Sequence, residues 1–101
     1  MEYEWDEVKS RRNEQERGFG FEIAMTAFSD LAAVRGGPRL VKGEERHWLV
    51  GKDLDGDLLF VVYTWRRHED ETWCRIISAR KASRKERGRY YAVSELAEGQ
   101  A

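Results

Sequence analysis

A single cysteine, Cys74, allows no internal disulfide and no thiolate zinc cluster. It reads as a small buried hydrophobe. Histidine is almost as scarce: His47 and His68 are the only two, and their separation is not a metal-ligand spacing. No metal ion or other cofactor is therefore expected. Long apolar runs are missing as well. None approaches the roughly 20 residues of a membrane span, so no membrane association is expected. The opening Met1-Glu2-Tyr3-Glu4 lacks the basic and apolar segments of a signal peptide, which points to the cytoplasm. No internal repeat or low-complexity segment is visible.

What the chain has in quantity is charge. Charged residues are 37% and hydrophobic residues 41% of 101, enough apolar material for one modest core in a single, ionic domain. The net charge of −1 hides an asymmetry. Residues 1–16 carry six acids against Lys9, Arg11 and Arg12, whereas residues 75–90 carry seven cations against one acid, Glu86. Such a separation points to a partner or ligand for the basic end.

In chain order, Tyr3–Trp5 is either a short strand or the lead-in to a helix. Asp6 is a good N-cap, and residues 7–16 are helix formers with little apolar content. A surface helix anchored by Trp5 and Val8 is expected, ended by Gly18 and Gly20. Phe21, Ala24/Met25, Phe28 and Leu31 recur at helical spacing and predict a second, amphipathic helix. Asp30 to Gly37 leaves that helix, and Gly36-Gly37-Pro38 is a loop signal. Three strands follow: Glu45–Gly51, Leu58–Trp65 after an Asp55-Gly56 hairpin turn, and Thr72–Ala79 after a polar turn over 66–71. Ser83 and Glu86 form a capping box, which predicts a last helix from Ser83 to Tyr91. The expected fold is α+β: two N-terminal helices, a three-stranded antiparallel meander and one C-terminal helix, with the helices packed on one face of the sheet. Residues 1–92 form the domain and 93–101 a flexible tail.

The chain is organised around Arg75-Ile76-Ile77-Ser78-Ala79-Arg80-Lys81-Ala82-Ser83-Arg84-Lys85-Glu86-Arg87. It begins as a strand and ends as a helix. Arg80 and Lys81 stand at the junction, where the N–H groups of a helix start add to an anion site. The stretch is either a solvated basic face or a phosphate-binding edge.

The residues also carry a resemblance. Trp5-Asp6, Lys9, Asn13, Gly18, Phe21 and Ala24 follow the spacing W-D-x-x-K-x-x-x-N-x-x-x-x-G-x-x-F-x-x-A. Phe28-Ser29-Asp30, Glu45-Arg46, Gly51, Leu59 to Tyr63 and Arg75 to Ser83 come after it. Over residues 3–91 this resembles the BrnT family of bacterial toxins from type II toxin–antitoxin systems. The resemblance implies a RelE-like fold and an endoribonuclease that arrests translation. It also implies a ribbon-helix-helix antitoxin of BrnA type and, through it, operator DNA; a dimer within the toxin–antitoxin complex is compatible with it. Many family members read Lys-His-Gly where this chain has Glu16-Arg17-Gly18, and the insert around Trp65 to Glu71 is longer than usual.

RNA cleavage of the implied kind requires little of a protein. The RNA supplies its 2′-hydroxyl as nucleophile; the enzyme orients it, moves two protons and stabilises a more negative phosphorane. Arg80 could clamp the phosphate and Lys81 neutralise developing charge. Each could equally cap the sheet edge or pair with the acidic N-terminal helix. With Ile77 in the core, Arg75 lies on the same side two residues earlier, or else it pairs with Glu45. Glu45 fits a general base if it is buried and an ion-pair partner if it is not. Arg46, Arg84, Arg87 and Tyr63 are candidates for holding RNA, the arginines on phosphates and Tyr63, with Trp65, on a base. His47 is of the type suited to proton transfer, or is a surface strand residue.

Two readings remain from the sequence. One is a metal-independent endoribonuclease with Arg80, Lys81, Arg75 and Glu45 in catalytic roles. The other is a non-catalytic antitoxin- or nucleic-acid-binding module that acts in operon autoregulation.

Overall fold

The structure, a computed structural model, describes residues 1–99, with side chains through Ala92. Strand β1 (Glu2–Trp5) leads into helix α1 (Glu7–Arg17), then helix α2 (Phe21–Thr26) and a 3-10 turn over Ala27–Ser29. Strands β2 (Val34–Val41), β3 (Glu44–Lys52), β4 (Leu58–His68) and β5 (Glu71–Lys81) follow, and helix α3 (Arg84–Gly99) closes the chain. The sheet order is β1-β5-β4-β3-β2; β1 runs parallel to β5 and every other pair is antiparallel. The expected three-stranded meander is thus the centre of a five-stranded mixed sheet.

Both extra strands have local reasons. Tyr3 and Trp5 turn one side of β1 to the main core, so the first of the two readings of this segment holds. Gly36-Gly37-Pro38, a loop signal in the sequence, lies within β2 at a break in register between Gly36 and Arg39. Gly36 is needed there because a Cβ would come within 2.2 Å of the Trp48 indole, which lies against the strand. The polar turn expected over 66–71 shrinks to Glu69-Asp70, and β4 and β5 stay paired out to His68 and Glu71. Exposed polar side chains do not stop a two-stranded ladder whose backbone groups pair with each other.

The sheet is covered on both faces, not one. Leu49, Leu59, Val61, Tyr63, Cys74, Ile76 and Ala79 pack with Phe21, Ala24 and Phe28 in the larger core. On the opposite face, Val50 and Leu58 bury Tyr90 of α3, with Trp48 and Phe60 beside them. The near-continuous apolar run of β4 follows from this double cover.

Helix α1 docks through polar groups. Asp6 caps it, its carboxylate accepting from the N–H of Val8 at 2.9 Å and of Lys9 at 3.3 Å. The buried anchors are Ser10 and Asn13, while Val8 is 65% exposed. Ser10 Oγ accepts from the N–H of Phe21 at 2.8 Å, and Asn13 Nδ2 donates to the carbonyl of Phe19 at 2.9 Å. Gly18 ends the helix at φ 87°. Helix α2 is shorter than its stripe suggested, and Leu31 lies outside it, fully exposed. Asp30 replaces it as the organising residue: its carboxylate accepts from the N–H groups of Ala32 and Lys52 and from the hydroxyl of Tyr90.

The capping box at Ser83 and Glu86 is formed reciprocally: Ser83 N–H donates to Glu86 at 2.8 Å, and Glu86 N–H to Ser83 Oγ at 3.2 Å. Helix α3 runs past Tyr91 to Gly99, because residues 93–98 contain Glu, Leu and Ala and no breaker. The last two residues of the expected tail, 100–101, lie outside the described residues. No helix among the described residues is long and apolar enough to cross a membrane.

Candidate nucleic-acid interface

The sheet forks at one end. The β3–β4 ladder begins at His47↔Tyr63. Beyond it, Glu44–Arg46 pair only with β2, and Arg66–His68 only with β5. Two side-chain contacts bridge the fork: Thr64 Oγ1 donates to the carbonyl of Glu45 at 2.8 Å, and the Arg66 guanidinium donates to the Glu44 carboxylate at 2.7 Å. Two hairpins therefore splay apart, one with its tip at Lys42-Gly43 and one at Glu69-Asp70.

A cleft of about 320 Å³ lies between them, closed on its third side by Asp6 and Lys9 at the start of α1 and by Ile76-Ile77 of β5. Five cations line it: Lys9, Lys42, Arg46, Arg66 and Arg75. Two carboxylates, Asp6 and Glu44, face them. Glu44 serves two arginines, Arg66 at 2.7 Å and Arg46 at 3.2 Å. Arg75 has only a long contact to Glu4, at 3.8 Å. Lys9 and Lys42 have no ion-pair partner among the described residues. Converging cations with a deficit of carboxylates form a site for a polyanion.

Strand alternation explains the convergence. Along β3 and β4, Glu44, Arg46 and Arg66 share a face with Trp48, Val50 and Phe60. On β5 the register shifts opposite Val62/Tyr63, so that Tyr63 pairs Ile76 and Val62 pairs Ser78. Ile77 is the extra residue. Ile76 takes the core position, and Arg75 turns to the cleft face. The expectation that Arg75 shares the side of a buried Ile77 is corrected by this bulge.

A smaller hollow of about 100 Å³ adjoins the cleft through Lys9 and Ile77 and is lined by Arg12, Asn13, Glu16 and Arg17 of α1. Arg17 donates to Asn13 Oδ1 at 2.8 Å and to the carbonyl of Ala79 at 3.4 Å. Arg17 therefore stands at the edge of the cationic cleft.

The other candidates are distributed elsewhere. Arg80 donates to both oxygens of Glu86, at 2.7 and 2.9 Å, and its guanidinium sits 4.4 Å over the ring of Phe60. The hydrogen bonds from Arg80, assisted by the Ser83 N–H, hold the Glu86 carboxyl below its ordinary range; the same pair raises Arg80. The Arg80 guanidinium is thus committed to the junction of β5 and α3. Lys81 is exposed at the end of β5. Glu45 is exposed on the face away from the cleft, so it has neither burial nor Arg75 as a partner; Glu44 is the carboxylate that faces the cations. Arg84 and Arg87 are exposed on α3, Arg87 lying 6.0 Å over Tyr91. Tyr63 is 4% exposed, with His47 stacked on it at 5.6 Å and Phe28 against it at 5.0 Å. Its ring has no open face for a base, and burial raises its hydroxyl above the ordinary range. Trp65, at 39% exposed, is the open aromatic of this group. Cys74 is buried, and burial pushes its thiol up to about 12, as befits a core residue.

Lys9, Lys42, Glu44 and Arg66 join the site without belonging to the candidate residues that the sequence offers. Lys9 carried a signal, since it belongs to the ordered N-terminal motif. The others become neighbours only when the two hairpins form.

No curated protein matches the chain. The family model described as the ribonuclease toxin, BrnT, of type II toxin–antitoxin systems matches residues 5–86. The match spans both the first residues of α1 and the whole fork, so it includes every wall of the cleft. Membership implies an RNA substrate and an antitoxin partner. The chain belongs to the BrnT family of ribonuclease toxins.

Proposed function

We propose that this protein is the toxin of a type II toxin–antitoxin pair, an endoribonuclease that cuts RNA in the cationic cleft and so inhibits translation. The observation that carries the reading is the gathering of Lys9, Lys42, Arg46, Arg66 and Arg75 around one cleft against two carboxylates. Cleavage proceeds by attack of the RNA's own 2′-hydroxyl on the adjacent phosphorus, its proton passing to water, and the 5′-oxygen departs with a proton from the Lys9 ammonium, a route that needs no metal ion. Arg75 and Arg46 hold the scissile phosphate and the charge that grows on it. Lys9, unpaired at the mouth of α1, neutralises that charge and stands near the leaving oxygen. Arg80 acts as a positioning residue that fixes the end of β5.

The exposed cations of α3, Arg84 and Arg87, suit the carboxylates of an antitoxin. The antitoxin is of ribbon-helix-helix, BrnA-like type, and brings operator DNA and a dimeric arrangement to the complex. The protein acts in the cytoplasm.

The test is incubation of purified protein with an end-labelled RNA. Discrete fragments ending in 2′,3′-cyclic phosphate are expected. Fragments with free 3′-hydroxyl ends would contradict the 2′-hydroxyl route. Intact RNA together with tight antitoxin binding would favour the alternative, a binding module that acts in operon autoregulation. Arg17, at the position where the family pattern has histidine, is the observation on that side.

A further inference from the structure

The fork has a second hollow, and the cationic cleft does not account for it. It measures about 230 Å³ and is lined by Glu44, Glu45, His47, Thr64, Trp65 and Arg66. Glu44 and Arg66, bonded to each other at 2.7 Å, line the cleft as well, so the two spaces meet at this ion pair between the splayed hairpins. The walls differ in kind. The cleft is cationic; the hollow carries an aromatic wall. His47 and Trp65 meet edge to face at 6.5 Å, and Trp65 meets Tyr63 likewise at 5.7 Å. Tyr63 backs His47 and is itself buried, which fixes the outer rings in place.

Two polar groups stand beside that wall without partners. Neither ring nitrogen of His47 makes a hydrogen bond among the described residues, and neither does the Glu45 carboxylate. Trp65 belongs to the extended part of β4, past the end of the β3–β4 ladder, so the hollow exists because the β4–β5 hairpin is long.

We infer that this hollow is a nucleobase subsite, in which a base adjacent to the phosphates in the cleft stacks on Trp65 and presents its polar edge to His47 and Glu45. The inference rests on the reading of the cleft as an RNA site. An aromatic face next to a cationic groove is the arrangement that takes single-stranded nucleic acid. A carboxylate at the base edge accepts from an exocyclic amino group. Adenine, cytosine and guanine carry such a group, and uracil does not. Arg66 turns the backbone from the cleft into the hollow by holding the intervening phosphate.

The experiment uses short single-stranded 2′-O-methyl RNA, which cannot be cut, in two forms of equal charge: one with adenines and one with an abasic residue at a central position. The full-length protein is expected to bind the adenine form roughly tenfold or more tightly than the abasic form. Trp65→Ala should abolish that difference and leave the salt dependence of binding unchanged. Trp65→Phe should retain most of it, which separates loss of stacking from loss of fold. Replacing adenine by uracil should weaken binding to the native protein, and Glu45→Gln should narrow that gap. Equal affinity of the native protein for the adenine and abasic forms would overturn the subsite, as would a Trp65→Ala protein that still prefers adenine. Absence of salt-dependent binding to either oligonucleotide would instead overturn the RNA reading of the cleft and the subsite with it.

Discussion

Arg80 and Glu86 form a two-pronged ion pair across the junction of β5 and α3, with donor–acceptor distances of 2.7 and 2.9 Å. The same Glu86 oxygen that takes the shorter bond also accepts from the N–H of Ser83. One carboxylate thus ties the sheet to the helix cap, and Arg80 is held flat on Phe60.

Arg80→Ala should therefore lower stability more than it lowers RNA affinity. Loss of the pair, the stacking and part of the cap costs about 1–2 kcal/mol; Arg80 is more than a third exposed, which screens the pair and keeps the figure in this range. A melting temperature lower by roughly 5–10 °C is expected. Calorimetry and an RNA-binding titration on the same sample check it. A stable Arg80→Ala protein that has lost RNA binding would return Arg80 to the binding site.

Stability should fall at both ends of the pH scale for identifiable reasons. Glu86 lies below its ordinary range because Arg80 bonds its charged form. Burial works against ionised Asp30, but the N–H of Lys52, the Tyr90 hydroxyl and the N–H of Ala32 outweigh it, and this carboxyl is also low. Their contributions are complete above the unfolded-chain carboxylate values, about 4, and are lost as pH falls through the lower folded values. Burial, then the bond to Asp30, pushes the Tyr90 phenol up to about 12. Its contribution is complete below the ordinary phenol value, about 10, and is lost as pH rises toward the folded value. Urea midpoints measured against pH should show a shallower acid slope in Glu86→Gln and a shallower alkaline slope in Tyr90→Phe.

Helix α1 should be sensitive at its polar positions. Ser10→Ala leaves the Phe21 N–H without its acceptor, and Asn13→Ala leaves the Phe19 carbonyl without its donor. Each costs about 1–3 kcal/mol. Val8→Ala, at an exposed site, should stay within about 0.5 kcal/mol. Chemical denaturation of the three variants decides whether the anchors are polar or apolar.

Arg17 occupies the edge of the cleft, at the position where the resemblance implies a histidine in many members. A histidine there would add a group able to move a proton near the scissile phosphate. Arg17→His, alone or with Glu16→Lys, should raise the single-turnover cleavage rate, by up to about 100-fold if the ring is well placed. An unchanged rate would mean that position 17 takes no part in proton transfer.

Local signals are legible in the sequence where a few neighbouring residues decide the outcome. Asp6, Gly18, Asp55-Gly56 and the Ser83/Glu86 box mark their ends and turns as expected. The opposition of His47 and Arg46 across β3 also follows from simple alternation. Ser10 and Asn13 escaped because an apolar-periodicity argument is blind to a helix that docks by hydrogen bonds. Gly36-Gly37 looked like a loop because its reason, the Trp48 indole on the neighbouring strand, is a long-range contact. Simple alternation puts Arg75 on the wrong side because a bulge at Ile77 breaks it, and nothing in the local sequence announces that bulge. The cleft was only partly legible for the same reason: Arg75 and Arg46 were recognised singly, but the fork that brings Lys9, Lys42 and Arg66 to them is a property of two hairpins. The basic junction at Arg80-Lys81 drew attention by charge alone, while the partner that holds Arg80, Glu86, sat within the same run.

The most direct test is induced expression of the native protein, of Arg46→Ala/Arg75→Ala and of Arg80→Ala/Lys81→Ala, with total RNA mapped by primer extension and the amount of folded protein checked in each culture. Growth arrest with discrete new RNA ends is expected for the native protein. Both should be lost in Arg46→Ala/Arg75→Ala and should persist, in proportion to the protein that remains folded, in Arg80→Ala/Lys81→Ala. Unchanged RNA ends in the Arg46/Arg75 variant, with their loss in a folded Arg80/Lys81 variant, would contradict the assignment of the cleft.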